Sequence, residues 1–441
     1  MSTKVGFISL GCPKNQVDCE VMIKHVADAG YEIVADDIDA DIIIVNTCAF
    51  IESAKKESID NILDVAWLKE NRHLRGIIVT GCLAERYRDE VLAELPEVDA
   101  VVGCGGIHGI ADIVRQVDAG TKKTFYPPIE ALRLGGDRVV TTPPHYAYLK
   151  ISEGCNNRCT YCAIPYIRGA YRSRPQDDIV REAVELEEMG AKEIVLIAQD
   201  TTRYGEDLGP LFTLTTLIDA IINATKSVKL RLLYCYPDMI TDELTEKIRT
   251  CDRVIKYIDL PIQHISDNVL RRMGRRGGSE CIRTAIKKLR SAVPDIVIRT
   301  TLITGFPGET EEDYAELCDF VAETRFVHLG VFPYSREEGT PAYDFPDQID
   351  ENVKNERADG IMKTQLIIRS EWAQSFIGKT LEVVTDGFDP VSECYYGRSF
   401  MDAPDIDGKV YFTAPKGIKE GQTVNVKVTE VIDYDLLGEK E

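Results

Sequence analysis

Glu153-Gly154-Cys155-Asn156-Asn157-Arg158-Cys159-Thr160-Tyr161-Cys162 places three thiols within eight residues, directly after a strand-like run, and no fourth ligand follows nearby. Thiolates are the usual ligands of iron–sulfur clusters, and a set of three leaves one iron of a four-iron cube free to bind a small molecule. Zinc is the alternative reading. A structural zinc site takes four ligands, however, and no histidine stands close on either side of this run.

The spacing Cys-x3-Cys-x2-Cys resembles the signature of the radical S-adenosylmethionine (SAM) enzymes. The flanks at 148–154 and 163–169, Tyr-Leu-Lys-Ile-Ser-Glu-Gly and Ala-Ile-Pro-Tyr-Ile-Arg-Gly, resemble those of the methylthiotransferase family within that superfamily. The resemblance implies that Cys155, Cys159 and Cys162 hold a 4Fe–4S cluster whose open iron takes the amino and carboxylate groups of SAM. Tyr161, Gln199, Gly305, Gly308, Glu309 and Arg168 are the candidate SAM contacts.

Working outward, 441 residues with 44% apolar content allow two to four globular domains with ample core. No apolar run is long enough for a membrane span, and the N-terminus leads into a strand-like segment, so a cytoplasmic protein is expected. Thirteen cysteines in such a chain point to metal or redox chemistry before disulfides. Acidic residues outnumber basic ones 73 to 52, a net charge of −21, which favours a basic partner over a naked phosphate backbone or simply keeps the chain soluble.

Residues 3–119 read as an α/β domain with a mostly parallel sheet. Strand-like runs at 5–10, 42–45 and 77–79 alternate with helical ones at 17–29 and 53–68. Cys12, Cys48 and Cys82 each fall just past a strand's carboxyl end, where open parallel sheets bind ligands. Free cysteines are often only small buried apolar side chains. Three at equivalent strand ends, two of them after glycine, point instead to ligands, and the family resemblance implies a second 4Fe–4S cluster on this trio. Cys19 is expected to pack in the first helix, and Cys104 in Gly103-Cys104-Gly105-Gly106 ranks as a distant fourth candidate.

Residues 120–140, with breakers such as Pro127-Pro128 and Gly135-Gly136, read as a linker with room for a short hairpin. From 141 to 372, βα units repeat, with strands expected near 147–151, 193–197, 229–232, 255–259, 296–301 and 328–331. Their order suggests a barrel, and the resemblance implies the open six-stranded (β/α)6 form. Chemistry in such barrels sits at the carboxyl ends of the strands. That places residues 199–205, 234–237, 261–264 and 305–310 round one mouth. The glycines at 305 and 308 would let backbone approach a ligand, while Thr310 starts the next helix. Arg168, Arg172 and Arg174 either fork onto carboxylates of SAM or substrate or remain solvated. His264 reads more readily as a hydrogen-bonded structural residue than as a proton shuttle.

Residues 373–439 read as a small antiparallel β-barrel with turns at Asp386-Gly387, Asp407-Gly408 and Glu420-Gly421. The module resembles the TRAM domain, an RNA-binding unit in many relatives. Its acidic residues outweigh its basic ones, whereas phosphate binding needs a basic face. The stretches at 11–18, 199–205 and 334–340 resemble the family branch that modifies a ribosomal protein. The resemblance therefore implies methylthiolation of the β-carbon of an aspartate in a basic small-subunit ribosomal protein, number twelve. Electrons would come from a reductant such as flavodoxin or ferredoxin. Methylthiolation of tRNA adenosine and a non-catalytic iron–sulfur binding protein are the alternatives.

Overall fold

In the computed structural model, which describes residues 2–441, six short runs of the first domain pair in parallel. They are β1 (Lys4–Ser9), β2 (Glu32–Val34), β3 (Ile42–Thr47), β4 (Gly76–Gly81), β5 (Ala100–Val102) and β6 (Lys123–Phe125), ordered β2-β1-β3-β4-β5-β6. Ile42 to Val45 are all fully buried because helices cover both faces of the sheet. Helix Pro13–Asp28 lays Cys19, Met22 and Val26 on one face, and helix Glu52–Asn71 lays Ile62 and Val65 on the other.

The linker expectation needs correcting. β6 falls inside residues 120–140 yet pairs with β5, Val102 opposite Phe125. The remainder is fixed as well and forms no hairpin. Arg172 donates to the carbonyls of Ile129, Glu130 and Leu132 at 2.8–3.0 Å. Arg138 pairs with Glu20 of the first domain and with Glu182 of the second. Polar and glycine-rich composition here marks a segment held by arginines rather than a flexible tether.

The central domain contains β7 (Tyr146–Lys150), the short hairpin β8 (Ser152–Glu153) and β9 (Arg172–Ser173), then β10 (Glu193–Ile197), β11 (Lys229–Leu232), β12 (Val254–Asp259), β13 (Val297–Thr304) and β14 (His328–Pro333). Six of them form one parallel sheet in the order β14-β13-β12-β11-β10-β7, so the barrel is open between β14 and β7. Side chains alternate as the pleat requires. Ala147, Leu149 and Ile151 enter the core beneath the outer helices, while Tyr146 and Tyr148 face the concave interior. Helix Glu351–Gln374 lies over the β13–β14 edge with Ile361 and Ile368 buried. Among the described residues no helix is long and apolar enough to cross a membrane.

The tail closes into a five-stranded barrel from β15 (Thr380–Asp389), β16 (Cys394–Arg398), β17 (Val410–Thr413), β18 (Thr423–Ile432) and β19 (Asp435–Lys440). All pairs are antiparallel except β17 with β19. Asp386-Gly387, expected as a turn, lies within β15 at a bulge. A second correction concerns charge. Residues 399–409, between β16 and β17, insert into the amino end of the central barrel. There Tyr257 donates to Asp407 at 2.6 Å, Tyr148 to Asp405 at 2.9 Å, and Arg231 to the Phe400 carbonyl at 3.0 Å. Met401 and Ala403 share a core with Tyr148 and Tyr257. Asp386 is likewise paired with Arg398. Asp386, Asp402 and Asp407 therefore do not form part of the acidic exterior that the sequence suggested.

Candidate active site

Cys12, Cys48 and Cys82 follow β1, β3 and β4, neighbouring strands that include the point where the sheet order reverses. Loops diverge there and leave a crevice. Two glycines shape it. Gly11, at φ +89°, lies so close to Cys48 that a Cβ would fall 2.9 Å from its Sγ, and Gly81, at φ +90°, presses against the Thr47 backbone. Asn15 ties the loops together: its amide donates to the carbonyls of Leu10 (2.7 Å) and Thr47 (3.2 Å), and Asn46 donates to the Asn15 carbonyl (2.7 Å). Burial pushes the Cys48 thiol up to about 12, and Cys82 and Cys12 push it the same way. Cys82 departs in the other direction. A hydrogen bond from Cys104 and the charge of Arg168 overcome its burial and bring it down to about 6. The fourth candidate, Cys104, thus stands beside Cys82, its own N–H held by Glu85 at 2.8 Å.

Cys155, Cys159 and Cys162 lie between β8 and helix Ile164–Ile167. Gly154, at φ +78°, turns the loop beneath the Ala170 carbonyl, and Thr160 anchors it to the carbonyls of Met273 (2.9 Å) and Arg272 (2.8 Å). Burial pushes Cys155 up to about 11 and Cys162 well above the ordinary thiol range. Tyr236 places its hydroxyl 3.9 Å from the Cys159 sulfur, and Arg275 lies 4.0 Å over the Tyr236 ring.

Cys48, Cys155 and Cys162, raised by burial, keep their protons until a strong positive charge such as a bound metal displaces them. Among the described residues no three His, Cys, Asp or Glu side chains converge on a single metal ion. A cluster spreads its thiolates over separate irons, and a set of three thiols matches its donor chemistry better than that of a four-ligand zinc site. Gln199 donates to Glu153 at 2.6 Å, while its amide oxygen is buried without a partner, an acceptor suited to a ligand's ammonium group.

The other expected SAM contacts have protein partners of their own. Gly305 packs against Lys354 of the last central helix, where a Cβ would fall 2.2 Å from Cγ, and Gly308 packs against the Arg272 guanidinium. Glu309 accepts from the Gly305 N–H at 2.9 Å and pairs with Arg357 at 2.7 Å. This glycine turn is therefore shaped by protein contacts, and Thr310 caps the following helix in a capping box with Asp313. Tyr161 stands edge-on to Phe306, ring centroids 6.5 Å apart. His264 is fully buried and accepts from the Ser266 N–H at 3.0 Å. Arg174 donates to the Lys150 carbonyl and pairs with Glu182, both at 2.7 Å.

Arg168 is the clearest displacement. It is buried between the domains, ion-paired to Asp18, and donates to Asn15 Oδ1 at 3.0 Å and to Cys82 Sγ at 3.3 Å. Asp18 also accepts from Lys150, which donates to Glu153 at 2.8 Å. A continuous buried polar chain thus runs from Gln199 and Glu153, beside the Cys155 loop, through Lys150, Asp18 and Arg168 to Cys82. On the far side Glu337 accepts from Arg86 at 2.6 Å and lies 3.1 Å from Lys55. That contact explains the 334–340 stretch: it docks the barrel edge on the helices that follow Cys48 and Cys82.

Three regions match known families: residues 4–103 the uncharacterized protein family UPF0004, residues 149–321 the Radical SAM superfamily, and residues 377–440 the TRAM domain. Proteins named ribosomal protein uS12 methylthiotransferase RimO are similar over the whole length. Those of Acetivibrio thermocellus and Thermoanaerobacter sp. are each 49% identical, covering 100% and 99% of this chain and 98% and 99% of their own. The chain belongs to the RimO methylthiotransferase family. The RimO of Geobacter sulfurreducens is likewise 49% identical, over 99% of this chain and 98% of its own. Among solved structures, the radical SAM methyltransferase TsrM of Kitasatospora setae superposes with a TM-score of 0.57 over 83% of this chain and 89% of its own, at 13% identity, a likeness of fold. In this RimO-family chain, the residues that sequence reading passed over are Asn15, Asp18, Lys150, Glu153, Arg275 and Glu337. The available signal was charge inside apolar strand flanks, as in Tyr148-Leu149-Lys150-Ile151.

Proposed function

We propose that the chain attaches a methylthio group to the β-carbon of an aspartate in ribosomal protein uS12, with two 4Fe–4S clusters and SAM, in the cytoplasm. The observation that carries this reading is the buried polar chain that links Gln199 and Glu153, beside the Cys155 loop, to Cys82 through Lys150, Asp18 and Arg168. Cys155, Cys159 and Cys162 would hold the cluster that binds SAM, and Cys12, Cys48 and Cys82 the auxiliary one. When bound, these groups supply reductive cleavage of SAM, a deoxyadenosyl radical to remove the unreactive C–H hydrogen, and the sulfur and methyl that replace it.

The protein's own part is to position and to shield. Gln199 offers its unpartnered carbonyl to the SAM ammonium, while Glu153, engaged with Lys150, holds the Gln199 amide in that orientation. Tyr234, beneath Lys14 at 3.2 Å, and Tyr236 wall the mouth with aromatic surface and exclude water from a radical path. A chain of net charge −21 attracts a basic ribosomal protein, and a reductant of the flavodoxin or ferredoxin type delivers the electron. The test is anaerobic incubation of the reconstituted chain with SAM, reductant and either uS12 or tRNA. A methylthio mass increment on the uS12 aspartate is expected. An increment on tRNA adenosine alone, or no deoxyadenosine release, overturns the reading.

A further inference from the structure

Arg168 belongs to the central domain, six residues past Cys162, yet its side chain ends in the first domain's thiol site. One arm of the guanidinium is satisfied by Asp18, with Glu153 3.5 Å away. An ion pair needs no more than that. The other arm is divided between the Cys82 sulfur and Asn15 Oδ1, at 3.3 and 3.0 Å. Asn15 in turn grips Leu10 and Thr47, which lead into Cys12 and Cys48. One side chain from the neighbouring domain thereby touches all three ligand segments, one directly and two through a single amide.

Arginine cannot lose its proton in a protein, and at 2% exposure its charge is little screened by water. An N–H donor and a fixed positive charge at a cluster sulfur favour the reduced, more negative state of the cluster and so raise its reduction potential. Resting on the reading that Cys12, Cys48 and Cys82 hold an iron–sulfur cluster, we propose that Arg168 is a positioning residue that raises the auxiliary cluster's reduction potential from across the domain boundary. Electron acceptance by that cluster then depends on the docked arrangement of the two domains, because withdrawal of the central domain removes the donor.

The test is an EPR-monitored redox titration of the full-length holoenzyme, with the Cys155–Cys162 cluster as internal reference. The auxiliary signal is assigned in a chain carrying Cys155→Ala, Cys159→Ala and Cys162→Ala. Arg168→Met is expected to shift the auxiliary midpoint to lower potential relative to the reference. Arg168→Lys, which keeps the charge and loses the fork, should lie between Arg168→Met and the parent. Two loaded cubes with an unmoved auxiliary midpoint in Arg168→Met overturn the inference alone. A parent chain that holds iron for only one cube overturns the cluster reading and the inference with it. If Arg168→Met does not load iron, the parent decides: guanidino-15N arginine labelling should give a 15N coupling to the reduced auxiliary cluster in pulsed EPR, and its absence overturns the assignment.

Discussion

At the scale of single residues, the site separates ligands from the charges that hold them. Cys159→Ala should abolish deoxyadenosine release, whereas Cys48→Ala should leave release intact and stop thiolation; product mass and nucleoside chromatography read the two separately. Glu153 gives a pH signature. Although burial opposes its charge, Lys150 and Arg168 hold its carboxyl at about 2, against an ordinary value of 4.5. A depressed folded-state pKa stabilises the protein above the unfolded value, and that contribution is lost as pH falls from about 4.5 through about 2. Glu153→Gln should therefore cost ~3 kcal/mol at neutral pH. Urea unfolding from pH 7 down to 3.5 should show its deficit against the parent starting to narrow below about pH 4.5. A deficit that stays constant over that range contradicts the pairing.

Among elements, the segment at 399–409 has a larger role than its loop character suggests. It fills the amino end of an open barrel whose interior tyrosines and arginines would otherwise face water, and it satisfies Arg231 and Tyr257 on entry. Met401, 1% exposed in that core, predicts a cavity penalty: Met401→Ala should lose ~2–4 kcal/mol in denaturant unfolding. Replacing residues 400–407 with a glycine-serine segment of equal length should open the interior tyrosines to acrylamide quenching. The turn after β13 behaves differently. Glu309 pins the Gly305 N–H and one arm of Arg357 inside the protein, so Glu309→Ala should destabilise by ~1–3 kcal/mol, leaving the buried Gly305 N–H without its acceptor and Arg357 with Glu311 as its remaining carboxylate. A loss of SAM affinity without loss of stability would contradict that structural role.

Across the whole molecule, two domains meet through buried charge rather than apolar surface alone, and the tail domain plugs the barrel from the opposite end. The mouth is thus bounded by the first and central domains, while the tail closes the far end of the barrel. Its acidic exterior steers basic partners over long range, so the association rate with uS12 should fall steeply as salt rises from ~50 to ~200 mM. A salt-independent rate measured by stopped flow would mean that charge plays no part in the encounter.

The sequence by itself determined the chemistry and the layers. The loop position of Cys155, Cys159 and Cys162 and the strand-end positions of Cys12, Cys48 and Cys82 were legible because residue spacing and βα alternation are local patterns. Element boundaries in the barrel were legible within a few residues for the same reason. At the Gly305–Glu309 turn the structure adds partners that sequence could not supply, because a left-handed glycine reads alike whether a ligand or a helix side chain fills the space beside it. The acidic count in the tail misled for a related reason: composition does not tell a solvated carboxylate from one buried against Arg299 or Arg398. Only tertiary structure decided that Arg168 turns to Cys82, since a long flexible side chain goes to whichever buried partner compensates its charge, and that partner lies 86 positions away in the chain.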